Sequence, residues 1–136
     1  MEIKSQLKRS TFQPIEPTAE LLAEIDAASI SLEGASPIEI LKWAVDHYAP
    51  HFAMATAFGP EGMTMIHLLS TFAPETTIFN LETGYQFQET LELRDKVKER
   101  YGIEVQLVRP ELDVVAYEEL HGGPVYKSDP NQCCYD

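Results

Sequence analysis

The sequence predicts an α/β domain in which a parallel sheet of about three strands is flanked by helices. Short apolar runs bounded by turn residues alternate with longer segments of helical periodicity. The connections between the apolar runs are too long for hairpins, which favours parallel strands joined by right-handed crossovers. At 136 residues, with 44% hydrophobic and 24% charged residues, the chain has the size and composition of one globular domain.

Two helices are predicted ahead of the first strand, after an amino-terminal arm over residues 1–17. The first begins after Thr18, whose hydroxyl is a good N-terminal cap, and repeats apolar residues at helical spacing. The second begins at Pro37, which suits the first helical position, with Ser36 as its cap. Residues 18–136 are expected to form the domain itself.

The rest of the chain alternates strands and helices. Three segments with the length and composition of buried strands are residues 52–57, 76–81 and 103–108. Segments of helical length are residues 63–72, 87–101 and 112–120, the second of them stopped by Gly102. Ligands of parallel sheets bind beyond the carboxyl ends of the strands, so the loops after the first two strands form the candidate site.

The loop after the first strand reads TAFGPEG over residues 56–62. Gly59 and Gly62 let the backbone approach a ligand, and the following helix presents N–H groups and a positive dipole to an anion. A glycine turn between a strand and a helix also occurs without a ligand, so this loop alone leaves both interpretations open. It lacks the lysine of a Walker loop, which disfavours phosphoryl transfer from a nucleotide.

The loop after the second strand reads LETG over residues 81–84. The carboxylate of Glu82 can accept a hydrogen bond from a ribose hydroxyl, as an acidic residue does in dinucleotide-binding folds. Gly84 permits a tight turn. The two loops together therefore predict a site for an anionic nucleotide.

The net charge excludes polyanionic partners. There are 22 acidic residues against ten Lys and Arg, a formal charge of −12 that repels nucleic acid. An anionic ligand must therefore be held by local donors, and Arg109 and Lys127 are the cations near plausible loop positions. The sequence has neither the apolar region of a signal peptide nor the roughly 20 apolar residues that span a bilayer. A cytoplasmic protein without a membrane partner is expected.

Both cysteines of the chain, Cys133 and Cys134, are adjacent and lie within its last four residues. A structural disulfide is disfavoured in a reducing compartment, so metal ligation and redox chemistry are the functional interpretations. Two small, partly buried residues of a helical turn are the structural alternative.

Three stretches occur in one order: MATAFGPEGMTMIHLLS, FNLETGYQFQETLELRDKVKERYGI and DPNQCC. Together they resemble the amino-terminal half of the assimilatory sulfonucleotide reductases, which reduce adenylyl sulfate or its 3′-phosphorylated form to sulfite. The resemblance runs from about Phe52 to the last residue. It implies an adenine-nucleotide α-hydrolase-like fold of which this chain holds an incomplete sheet. Two positions depart from the family's pattern, since Glu82 replaces an Asp and Gln88 replaces a Pro.

The resemblance implies nucleotide-binding roles for nine loop residues. They are Thr56, Ala57, Phe58, Gly59 and Gly62 in the first loop, and Leu81, Glu82, Thr83 and Gly84 in the second. It also implies that Cys133 and Cys134 are two of the four ligands that a four-iron four-sulfur cluster takes. The other two ligands and the nucleophilic cysteine are expected beyond Asp136. The domain is thus expected to be truncated at its first cysteine pair and inactive alone.

Three functional hypotheses follow. In the first, the chain is part of a thioredoxin-dependent adenylyl-sulfate reductase of sulfate assimilation and cysteine biosynthesis, with the 3′-phosphorylated nucleotide as the alternative substrate. In the second, it is a non-catalytic module that binds a nucleotide or a cluster, and a homodimer shares one cluster between two chains. The third, an ATP-pyrophosphatase-type adenylating enzyme, is disfavoured because residues 56–62 do not spell its Ser-Gly-Gly-x-Asp-Ser loop.

Overall fold

The structure is a computed structural model that describes residues 16–135, so the predicted arm over residues 1–17 lies almost wholly outside the described residues. Within them the elements are α1 (Ala19–Ser31), α2 (Pro37–Tyr48), β1 (Ala53–Ala55), α3 (Pro60–Phe72), β2 (Thr77–Leu81), α4 (Gln88–Tyr101), β3 (Gln106–Val108), α5 (Val114–His121), α6 (Val125–Ser128) and α7 (Pro130–Tyr135). The chain divides into two compact units, one ending at Ser36 and one beginning at Pro37. No helix in the described part of the chain combines the length and apolarity needed to cross a membrane.

The first unit contains α1. Thr18 caps this helix as predicted, because its Oγ1 accepts a hydrogen bond from the Leu21 N–H at 3.2 Å. Of the residues with the predicted apolar spacing, Ala28 is buried, whereas Leu22 and Ile25 are exposed. The helix is therefore confirmed, while its apolar stripe stays largely in solvent.

The second unit contains a parallel sheet in the order β1-β2-β3, which confirms the predicted α/β class. Ala55 lies opposite Phe79, and Phe79 lies opposite Gln106. Helix α3 connects β1 to β2, and α4 connects β2 to β3. Because the strands are parallel, their carboxyl ends meet at one edge of the sheet, where the two candidate loops begin.

The core of this unit lies between the sheet and the helices α2, α3 and α4. Its buried residues are Leu41, Val45, Met54, Phe58, Ile66, Leu69, Ala73, Ile78, Val97, Ile103 and Val105. Ile66 and Leu69 are fully removed from solvent, and burial of such a side chain contributes about 1.5–3 kcal/mol. The core therefore holds α3 and β2 in place beside the loops.

Two strands are shorter than predicted. Strand β1 ends at Ala55 instead of residue 57, because the Phe58 N–H donates to Thr56 Oγ1 at 3.0 Å and Phe58 takes a left-handed φ of 59°. These contacts turn the chain out of the sheet. Strand β3 begins at Gln106 instead of residue 103, since the preceding residues enter the core before pairing with β2 starts.

Two helices have shifted boundaries. Helix α3 begins at Pro60, three residues before the predicted start, and proline suits this first helical position because its missing N–H would have no intrahelical partner. Helix α5 begins at Val114, later than predicted, because the Asp113 carboxylate accepts the Ala116 N–H at 2.9 Å and caps the helix there. Helix α4 ends at Gly102 as predicted.

Candidate functional site

The glycine loop, residues 56–62, is built on a buried threonine. Thr56 still pairs with β2, since its N–H donates to Phe79 O at 2.8 Å, while its Oγ1 accepts from Phe58. Phe58 is buried and holds its left-handed φ without the freedom of a glycine. Such a backbone costs about 1–3 kcal/mol and is typical of ligand-binding loops.

The two glycines of this loop serve different purposes. A Cβ on Gly62 would lie 2.7 Å from Thr56 Oγ1, so the close approach of α3 to Thr56 requires a glycine. A Cβ on Gly59 would meet only Glu61 Oε2, at an ordinary 3.6 Å, so the fold itself does not require glycine there. Gly59 is the N-cap of α3 and supplies no side-chain bond to the first turn. The N–H groups of the first turn of α3 and the Glu61 carboxylate therefore both lie near Gly59.

The acidic loop, residues 81–84, is ordered by its own carboxylate. Glu82 Oε1 accepts the Gly84 N–H at 2.7 Å, and Oε2 lies 3.6 Å from Arg109 Nε. The Glu82 side chain is only 12% exposed. Its predicted ribose contact stays a prediction, and the structure adds a second role, because the same carboxylate closes the turn and holds a cation beside it.

Two residues that the sequence analysis missed join the loops. Asn80 is 2% exposed, and its Nδ2 donates to Thr56 O at 2.8 Å. Gln86 Nε2 donates to Asn80 Oδ1 at 2.9 Å and to Leu81 O at 2.6 Å. Gln86 Oε1 is buried without a hydrogen-bond partner among the described residues. The glycine loop and the acidic loop therefore form one connected surface.

The acidic loop also packs against α5. Gly84 has a φ of +84°, and a Cβ on it would lie 2.5 Å from Val114 Cγ2. The next residue, Tyr85, donates its hydroxyl to Glu118 Oε1 at 2.9 Å. The Tyr85 ring packs edge to face on Tyr126 of α6, with ring centroids 5.4 Å apart. The loop is thus fixed to both α5 and α6.

Of the two cations expected near the loops, Arg109 lies beside the acidic loop. Arg109 approaches Glu82, and Lys127 Nζ lies 5.6 Å from the centroid of the Tyr126 ring. Arg109 is therefore near enough to the acidic loop to offset part of the strong negative charge of the chain.

Cys133 and Cys134 are free thiols on α7, the first half-buried and the second exposed. Adjacent thiolates are soft ligands of the kind that iron–sulfur clusters take, but they fill two of the four positions. Within residues 16–135, no group of three or more His, Cys, Asp or Glu residues is placed to hold a metal ion. The described residues therefore fit half of the expected ligand set.

A separate groove of about 540 Å³ lies between α4 and β3. Its cations are already paired with acids, since Arg94 lies 3.0 Å from Asp95 and Lys98 lies 3.3 Å from Glu104. Neither candidate loop lines this groove. We therefore place the candidate site at the loops.

We expect Tyr85 to keep its proton in stronger alkali than an ordinary tyrosine. Desolvation, the hydrogen bond to Glu118 and the negative charge of Glu118 raise the pKa of Tyr85 from 10.0 to about 12. The folded state then holds a proton that the unfolded state loses, so this stabilisation is complete below about pH 10 and is lost as the pH rises towards about 12. When tyrosinate absorbance is measured as the pH is raised, the native protein should show one tyrosine that ionises at high pH and that is missing in Tyr85→Phe. A late group that persists in Tyr85→Phe but disappears in Tyr101→Phe would contradict the assignment.

The fold is similar to that of a solved protein from Candida auris, described as phosphoadenylyl-sulfate (PAPS) reductase in a phosphate complex. The TM-score is 0.72 at 26% sequence identity, over 87% of this chain and 57% of that chain. With three parallel strands flanked by helices, the class of protein is that of the adenine-nucleotide α-hydrolase-like fold.

The sequence comparisons identify the family within this class. Residues 51–135 match the family described as the phosphoadenosine phosphosulfate reductase domain. The adenosine 5′-phosphosulfate reductase of Bacillus velezensis is 42% identical over 99 residues, which are 72% of this chain and 42% of that protein. The enzyme of the same name from Staphylococcus epidermidis is 38% identical over 112 residues, or 82% of this chain and 46% of that protein. The chain belongs to the phosphoadenosine phosphosulfate reductase domain family, and it spans less than half the length of these two relatives.

Proposed function

We propose that this chain is the nucleotide-binding part of a sulfonucleotide reductase that converts adenylyl sulfate to sulfite and AMP with electrons from thioredoxin. The observation that carries this proposal is the contact chain from Thr56 through Asn80 to Gln86. It joins the two loops at the carboxyl ends of β1 and β2, the edge at which parallel sheets bind nucleotides.

The two loops bind different parts of the nucleotide. The glycine loop receives the anionic part of the nucleotide, because the amino terminus of α3 supplies N–H groups and a positive dipole above Gly59. The acidic loop receives the nucleoside, with Glu82 keeping the turn closed. Arg109 beside this loop offsets part of the repulsion between an anionic ligand and a chain of net charge −12.

The chemical step belongs to residues outside this chain. A cysteine thiolate attacks the sulfur of adenylyl sulfate, displaces AMP and forms a thiosulfonate on the enzyme. Two thiols of thioredoxin then release sulfite and become a disulfide, which balances the two electrons of the reduction. Cys133 and Cys134 would hold two irons of a four-iron four-sulfur cluster, which would supply a redox-active group.

The preferred nucleotide is adenylyl sulfate without a 3′-phosphate. Both relatives described above carry the name of the adenosine 5′-phosphosulfate enzyme. The adjacent cysteine pair also favours this branch, by resemblance. Titration of the protein with adenylyl sulfate and with 3′-phosphoadenylyl sulfate should give the tighter binding for the first, and the reverse order would make the phosphorylated nucleotide the substrate.

Gly59→Val should weaken binding of adenylyl sulfate by about 1–3 kcal/mol, because the side chain blocks the approach of the ligand to the backbone N–H groups. Folding should be largely retained, since a Cβ on Gly59 would meet only Glu61 Oε2, at an ordinary contact distance of 3.6 Å. Calorimetric titration of the protein expressed from its complete reading frame measures the effect. Gly34→Val is the matched control, because a Cβ on Gly34 meets no atom within 4 Å. Equal affinities for native protein and Gly59→Val would remove the glycine loop from the site.

A further inference from the structure

Tyr85 touches three parts of the molecule at once. It follows the acidic loop directly, its hydroxyl donates to Glu118 of α5 at 2.9 Å, and its ring packs on Tyr126 of α6 at 5.4 Å and an interplanar angle of 71°. Tyr85 is 38% exposed, so the side chain is partly covered by its neighbours. A movement of the acidic loop must therefore carry α5 and α6 with it or break these contacts.

The contact with α6 continues to the cysteines. Helix α6 packs against α7, and Asp129 stands at their junction. The Asp129 carbonyl accepts the Cys133 N–H at 3.1 Å, and its carboxylate accepts the Gln132 N–H at 3.1 Å. The path from the acidic loop to the cysteine pair is thus continuous.

The loop has little freedom to move independently of this path. Gly84 is in such close contact with Val114 that even a Cβ would overlap its Cγ2. The neighbouring Tyr85–Glu118 hydrogen bond gives α5 a second attachment point. Two attachments fix an orientation as well as a position, so the loop and α5 are expected to shift together.

We propose that Tyr85 couples the acidic loop to the helix of Cys133 and Cys134, so that nucleotide binding changes the reactivity of the two thiols. The proposal rests on the proposed function, because it requires a nucleotide at the acidic loop. Tyr85 is a positioning residue in this scheme and touches neither sulfate nor metal.

The test is the alkylation rate of Cys133 and Cys134 by iodoacetamide, followed by peptide mass mapping, with and without saturating adenylyl sulfate. The reduced, iron-free protein from the complete reading frame should show a rate ratio of about fivefold or more, the lower end of typical coupling. Tyr126→Ala removes the ring contact through which the path reaches α6 and should bring this ratio close to one. Tyr85→Phe and Glu118→Ala remove only the attachment to α5 and should lower the ratio in part. Glu118→Gln should retain it, because the amide oxygen still accepts from the Tyr85 hydroxyl.

Tyr101→Phe is the matched control, since it removes a tyrosine hydroxyl from the end of α4 and should leave the ratio unchanged. Direct shielding of the thiols by the nucleotide would preserve the full ratio in Tyr126→Ala, and that result would overturn the coupling. A ratio of one in native protein that binds adenylyl sulfate would also overturn it while leaving the proposed function intact. If native protein does not bind adenylyl sulfate at all, both proposals fail.

Discussion

Cys133→Ser or Cys134→Ser should abolish iron–sulfur cluster binding in the protein expressed from its complete reading frame, and sulfite formation should fall with it. A serine hydroxyl is a much poorer ligand for iron than a thiolate, and a cubane cluster needs four outer ligands. Both cysteines lie on the accessible helix α7, so neither substitution opens a cavity in the core. Iron content and the broad brown absorbance of anaerobically purified protein measure the loss.

Tyr135→Ser controls for the placement of a serine in this helix. Tyr135 is 89% exposed and lies next to Cys134, so the variant changes the same helix without removing a thiol. It should keep its cluster. The 136-residue chain by itself offers two thiolates and should remain without a cluster. A stable cluster in that chain, with about four irons per two chains, would instead indicate a homodimeric cluster-binding module.

Gly84→Ala should produce the largest loss among single changes at the acidic loop, about 2–5 kcal/mol of folding stability. The left-handed φ of +84° costs about 1–2 kcal/mol once a Cβ is present. Overlap with Val114 Cγ2 at 2.5 Å adds about 1–3 kcal/mol. Affinity for adenylyl sulfate should fall as well, because relief of the overlap displaces the loop. Urea unfolding and calorimetric titration measure the two effects.

Gly102→Ala separates the two contributions to this loss. Gly102 has a φ of +68°, but a Cβ there meets no atom within 4 Å, so its cost should be limited to the backbone strain. Gly84→Ala should also cost less folding stability when it is made in Val114→Ala than when it is made in the native protein, because Val114→Ala removes the overlapping methyl group. Equal losses in Gly84→Ala and Gly102→Ala would show that contact with α5 does not constrain the loop.

Much of the fold could be predicted from the sequence because local sequence signals agree with the tertiary structure. Thr18 and Pro37 mark helix starts, and Gly102 marks a helix end, by backbone chemistry that does not depend on distant residues. The ends of the strands were harder to predict. The end of β1 depends on the hydroxyl of Thr56 and on the left-handed turn at Phe58, neither of which hydrophobic periodicity reports.

The two candidate loops could be identified in the sequence, but the contacts that join them could not. Asn80 is 24 residues from Thr56 along the chain, and only the register of β1 on β2 brings them together. Its position two residues after Ile78 on the buried face was the one available signal, since an inward-facing amide needs a partner. For Gln86 no comparable signal existed, because its contacts depend on the turn that Glu82 closes.

The most direct test of the account is sulfite formation from adenylyl sulfate by the protein expressed from its complete reading frame, supplied with reduced thioredoxin. We expect sulfite and AMP in equal amounts and much slower turnover of 3′-phosphoadenylyl sulfate. Gly59→Val should have a higher KM for adenylyl sulfate than the native protein. Folded, cluster-loaded protein that binds neither nucleotide and forms no sulfite from either would contradict it.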